Sequence, residues 1–326
     1  MKKILVILML FYTVTYAEPT WQYERINMNF ENDIFSGTDS EYTDGLQISA
    51  LMYRPYATNK WLNIPFLHQS DRAHFISFSL TQQMFTPADL NASEPVPGDR
   101  PYAGYVYFEM GLHQSSNSDL DSLVFQLGII GPASGMEGLQ KFVHENIGSD
   151  IPQGWDNQLS NEVTLQINYQ HKWRYVPQPV LGVESSFIPF VGAELGNVAV
   201  KANTGALFRF GWHIPQDFGV TAVGEGGENG IPVKSGCLCK EDVPWSFNFH
   251  LAAGATAVAR DIFLDGSTFT SSYSVSKEPF KGFASGGFSA RYKNYSFDYI
   301  HTFHTKQFKE GVVTHSVGSF ILSYLF

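Results

Sequence analysis

The chain has 326 residues, a formal charge of −10, 15% aromatic and only 16% charged side chains. That acidic balance excludes a nucleic-acid partner, which needs a basic face, and suits divalent cations instead. Beyond the N-terminus no stretch reaches the ~18 continuous apolar residues of a membrane helix, so any membrane crossing is left to strands.

Residues 1–17 read as a secretory leader. Lys2 and Lys3 supply the positive start, Ile4 to Val14 is apolar but too short to span a bilayer, and Thr15-Tyr16-Ala17 is an acceptable cleavage site. Its loss moves the formal charge from −10 to −12. The remainder, 18–326, reads as one domain.

In chain order, the pattern is of period two. It starts at Trp21 to Phe30, with Ile26, Met28 and Phe30 against Asn27 and Asn29. It recurs at Leu46 to Met52, Ile76 to Thr81, Val106 to His113 and Leu123 to Ile130. After residue 160 it returns at Val163 to His171, then at 182–194, 200–213, 246–259, 280–292, 294–306 and Phe320 to Phe326. This gives twelve strands, many near the ~9–11 residues that cross a bilayer when tilted. An even number closes an antiparallel sheet without a free edge. A terminal aromatic on an alternating last strand resembles the ending of outer-membrane barrels. The fold expected is all-β: a 12-stranded antiparallel transmembrane β-barrel, with a soluble β-sandwich as the alternative.

One helix interrupts the strands. Ser134-x-x-Glu137 has the spacing of a capping box. Met136, Leu139, Val143 and Ile147 recur at helical spacing, and Gly148 is the stop. Glu137, Gln140, Lys141 and His144 fall on a second, polar side. The apolar stripe is expected to pack on the barrel wall, or otherwise to line a path for acyl chains.

With both termini inside the cell envelope, 31–44, 84–102, 131–160 and 260–279 become exterior loops, and 114–120 and 174–181 short inner turns. The Gly-rich connection 214–245 is long for an inner turn and fits poorly: it is either irregular or displaced by one strand. The only cysteines, Cys237 and Cys239, sit one residue apart, a spacing poorly suited to a structural disulfide.

This topology gathers Glu31-Asn32-Asp33, Asp39 to Gly45 and the His144 helix at one rim. Asp, Asn and Thr oxygens are hard ligands suited to Ca2+, a histidine can act as general base on water, and a cation can hold a developing oxyanion. Acidic loops are common, and Asn32 alone could be a turn residue.

Asn32-Asp33, Tyr42-Thr43-x-Gly45, Gly98-Asp99-Arg100, Gly128-x-Ile130-Gly131-Pro132, Gln140-x-x-x-His144 and Trp155-x-x-Gln158, in this order, resemble the outer-membrane lipid A 3'-O-deacylase family over residues 22–175. The resemblance implies a twelve-stranded barrel in the bacterial outer membrane. It implies a Ca2+-dependent esterase that removes the 3'-linked acyloxyacyl chain of lipid A, or lipopolysaccharide, in the outer leaflet. By position it places His144 as the catalytic histidine. Asn32, Asp33 and Thr43 become catalytic and metal-binding, and Asp150 stands where the family has a glutamate. Where the family has a lysine this chain has Asn91, so Arg100 and Lys141 are the candidates for gripping lipid A phosphates. A monomer is expected. The rival readings are a non-enzymatic channel or surface-binding barrel, and a barrel phospholipase, for which no segment supplies a serine nucleophile; there is no G-x-S-x-G elbow.

Overall fold

The computed structural model describes residues 21–33, 41–53, 72–222, 229–234, 243–311 and 314–326. Residues 1–17, expected to be a leader, and Cys237 and Cys239 lie outside these residues. Twelve strands form one closed antiparallel barrel in which each strand pairs with its sequence neighbours and the last pairs with the first. They are β1 Gln22–Asn32, β2 Glu41–Tyr53, β3 Ala73–Thr86, β4 Ala103–Ser115, β5 Asp119–Ile130 and β6 Glu162–Trp173. β7 Glu184–Gly196, β8 Ala199–Trp212, β9 Trp245–Asp261, β10 Phe280–Tyr292, β11 Tyr295–Thr305 and β12 Thr314–Leu325 complete it. Closure runs from Arg25 opposite Leu325 to Asn32 opposite Gly318.

Side chains alternate across the wall with the polar set inside. On β6, Thr164 and Gln166 are buried, while Val163, Leu165 and Ile167 are exposed. The same holds around the ring: Asn27, Ser79, Arg209 and Ser319 point inward, and Met28, Leu80, Phe208 and Leu322 point outward. A polar interior with an apolar exterior is the reverse of a soluble β-sandwich and is what a bilayer-spanning barrel requires. Several of the inward groups bond to one another. Glu31 accepts from Tyr42 at 2.8 Å and Ser319 at 2.7 Å, and Glu109 accepts from Gln126 at 2.7 Å.

The start of β1 and the C-terminal end of β12 lie together at one end of the barrel, the terminus end. The described part of the connection between β8 and β9 also starts there, and it folds back into the lumen. Phe218, Val220, Ile231 and Val233 are buried, and three of them pack with Leu51, Phe75, Leu120 and Leu207 of the inner wall. Phe218 N–H donates to the Ile231 carbonyl and Gly230 N–H to the Gly219 carbonyl, so the segment pairs with itself as an inward plug. The strand positions were therefore right, and the connection is long because it fills space inside the barrel. The guanidinium of Arg209 holds the plug, donating to Asp217 Oδ1 at 2.5 Å and to the Asp217 carbonyl at 2.9 Å. Burial alone would raise the Asp217 carboxyl, but the Arg209 and Arg25 charges and the Arg209 hydrogen bond hold it below its ordinary value.

A lowered carboxyl pKa stabilises the fold above the unfolded value and is lost as pH falls through the folded one. Hydrogen exchange at the Phe218 and Gly230 amides should accelerate as pH drops below ~4, the ordinary aspartate value, after correction for intrinsic exchange. Asp217→Asn should remove that pH dependence; a pH-independent wild-type plug would contradict the assignment.

Candidate functional site on the outer face of the wall

The helix α1, Met136–Ile147, leaves β5 at the end opposite the termini. Its start differs from the expected capping box. Gly135, in the left-handed region at φ 75°, is the N-cap, and no side chain caps the helix. Ser134 Oγ donates to the Gly131 carbonyl at 2.6 Å, and Glu137 pairs with Lys141 at 2.7 Å. Ser134 therefore belongs to the preceding tight turn, whose Gly131 sits at φ 96° with its N–H donating to the Gly104 carbonyl at 2.9 Å. The stop is as expected: Gly148 takes φ 75° and its N–H donates to the His144 carbonyl.

The buried face is Met136, Gln140 and His144; Leu139 and Val143 are exposed. Of the described side chains in the expected wall-packing stripe only Met136 packs; the Ile147 side chain lies outside them. It meets Met84, Tyr102 and Trp155, and α1 lies against β3 and β4. The contact is made possible by Gly104, where an added Cβ would come within 2.4 Å of Ser134 Oγ and 2.6 Å of Met136 Cβ. Tyr105 and Tyr107 line the lumen, so by alternation Gly104 faces outward. The helix is thus mounted on the outside of the wall.

A row of outward positions crosses the wall beside it. Asn32 is opposite Asp44, Asp44 opposite Met84, and Met84 opposite Gly104. Asn32 hydrogen-bonds Asp44, and Gln82 Nε2 donates to Asp44 Oδ1. A bulge between Tyr42 and Asp44 changes the alternation. Tyr42 turns inward to Glu31, while Thr43 Oγ1 meets Thr86 Oγ1 at 2.7 Å, beside Asp44 on the outer side. Gly45 allows this, because a Cβ there would lie 2.0 Å from the Tyr42 hydroxyl oxygen. The Tyr42-Thr43-x-Gly45 motif therefore places two consecutive polar residues on the outer face. Asp33 follows directly and is fully buried.

His144 is 7% exposed, and its Nδ1 lies 2.6 Å from the Asp150 carbonyl oxygen. A carbonyl only accepts, so Nδ1 carries a proton, and of the two neutral tautomers this bond selects the one whose lone pair is on Nε2. Asp150 thus reaches His144 through its main chain, while its side chain is exposed. Gln140 Oε1 accepts from Trp155 Nε1 at 2.7 Å. Arg100 is elsewhere. Its guanidinium lies 4.8 Å above the Phe85 ring and lines a lumen cavity of about 220 Å3 with Lys201, Asp261 and Lys281. Gly98-Asp99-Arg100 builds the loop before β4, where Asp99 accepts from the N–H groups of Ala88 and Arg100, each at 2.7 Å. Lys141 sits on the exposed side of α1, paired with Glu137.

Among the described residues no three His, Cys, Asp or Glu side chains group to hold a metal. The donors near the row are carboxylates (Asp33, Asp44), an amide (Asn32) and hydroxyls (Thr43, Thr86). That all-oxygen set fits a hard cation such as Ca2+ and not a thiolate- or imidazole-seeking one. Asp44 lies in the rim stretch Asp39 to Gly45 but was not singled out there, and Gln82 and Thr86 were missed in the sequence; the cross-strand register is the signal that finds all three.

The family model described as "Outer membrane protein LpxR" matches residues 4–326. A search among curated proteins finds no match. Among solved structures, the chain is similar to LpxR from Salmonella typhimurium at 19% identity and TM-score 0.74, covering 93% of this chain and 100% of that one. The β domain of the Bordetella autotransporter BrkA follows at 8% identity and TM-score 0.44, covering 94% of this chain and 99% of that one.

Gly104→Leu should displace α1 while the barrel still closes. Overpacking of this kind costs about 1–3 kcal/mol. Proteolysis within 136–147 should speed up with heat-modifiable barrel mobility unchanged; unaltered cleavage would mean that Gly104 does not seat the helix.

Proposed function

This chain belongs to the LpxR family of outer membrane proteins, and from that premise we propose that it is a lipid A 3'-O-deacylase. It hydrolyses the ester that links the 3' acyloxyacyl chain to lipid A in the outer leaflet. The observation that carries this reading is the placement of His144. It is a buried histidine with Nδ1 fixed on the Asp150 carbonyl, held on the outer side of a bilayer-spanning wall, where a lipid rather than a solute arrives.

Nε2 takes a proton from water, which attacks the ester carbonyl, and the Nδ1 hydrogen bond holds the ring as it becomes an imidazolium. Asn32, Asp33 and Thr43, with Asp44 adjoining, would hold Ca2+, and Ca2+ bound there supplies positive charge to the developing oxyanion. Eight residues of helix separate Met136 from His144, about 12 Å at the usual rise. Three strand spacings, ~14 Å, separate Gly104 from Asn32. The two spans match, which supports a groove between α1 and the row. A channel is less well supported, because the plug packs inside the lumen.

Purified protein incubated with lipid A and Ca2+ should give a product lighter by one acyloxyacyl chain, read by mass spectrometry. His144→Gln should lower the rate ~10²–10⁴-fold with the barrel intact; full activity would remove the mechanism. Excess chelator should stop turnover and Asp33→Ala should mimic it, whereas unchanged rates would return Asp33 to an ordinary loop acid.

A further inference from the structure

Helix α1 has three lengthwise sides. At about 100° per residue, Met136, Gln140 and His144 form the side on the wall, buried to 8, 3 and 7% exposure. Val143, Leu139 and Phe142 fall together on one flank, 41, 36 and 63% exposed. Glu137, Lys141 and Glu145 fall on the opposite flank, where Lys141 and Glu137 pair. The helix is mounted on the outer surface of the barrel, over Gly104. Four strand positions further toward the terminus end, that surface continues as exposed Phe108 (46%), Leu80 (45%) and Leu127 (55%), neighbours across β4, β3 and β5. Large apolar side chains on one flank, charges on the other, and an adjoining hydrocarbon-facing wall are the features of a helix lying in a membrane interface.

We propose that the Leu139, Phe142 and Val143 flank is immersed among the acyl chains of the outer leaflet, with Glu137, Lys141 and Glu145 in the headgroup layer. The immersion follows from the barrel's place in the outer membrane. Apolar side chains on this flank add to the buried hydrocarbon contact, and the charged flank sets its depth.

The test uses the full chain in liposomes, with Cys237→Ser and Cys239→Ser and one nitroxide at either position 142 or 145. Immersion predicts that the label at 142 collides several-fold more readily with oxygen than with a water-soluble nickel complex, and that the label at 145 shows the opposite preference. Open access of the nickel complex to 142 would overturn the proposal. So would a label at 142 shielded from both reagents, as a second copy covering the flank would produce. This readout does not depend on activity, so it stands or falls apart from the deacylase reading.

Discussion

A polar side chain on the outer face of a bilayer-spanning barrel must be covered or paired, because hydrocarbon offers it nothing. Most of this wall obeys by placing polar residues inside. At the terminus end Asp121, Tyr169 and His171 form one exception with Arg72. Another is the patch at the ends of β1 to β4, where Asn32, Thr43, Asp44, Gln82 and Thr86 face outward. They bond to one another, and α1 is mounted next to them on β3 and β4. The local structure serves this exception. The bulge turns Thr43 outward, Gly45 makes room for Tyr42, and Gly104 lets Met136 and Ser134 approach the strand. The turn at Gly131 then sends the chain back over the wall.

The interior follows a different rule. Its walls are polar and mutually hydrogen-bonded through most of the lumen, yet the terminus end holds an apolar plug clamped by Arg209 and Asp217. At the other end Phe263 stacks on Phe85 with ring centroids 3.9 Å apart, above the cavity that Arg100 lines. Arg100 thus lines a cavity inside the lumen, while His144 and the row from Asn32 to Gly104 lie on the outer side of the wall. That division separates Arg100 from His144, although the sequence puts both in loops at the same rim.

Strand positions were legible because a wall with one polar face writes period two into the chain, and the count of twelve held. The helix stop at Gly148 was equally plain. What the sequence hid depends on contacts between distant segments. Asp44 joins the site through its register with Asn32 and Met84, which no local pattern records. The helix face was read on the assumption that apolar side chains pack on protein; beside a membrane they face lipid, so Gln140 and His144 turn inward and Leu139 and Val143 do not. Asp150 was judged by its carboxylate, whereas its carbonyl makes the contact. The connection at 214–245 looked irregular or displaced by one strand because the inward fold of its described part is set by tertiary packing, not by turn chemistry.

The central claim is that the reacting ester sits outside the barrel, between α1 and the row from Asn32 to Gly104. A crystal structure with a non-cleavable ether analogue of lipid A tests it most directly. The account predicts the 3' linkage beside His144 Nε2, with its acyl chain running along the outer wall. An analogue lying in the lumen beside Arg100 would contradict it.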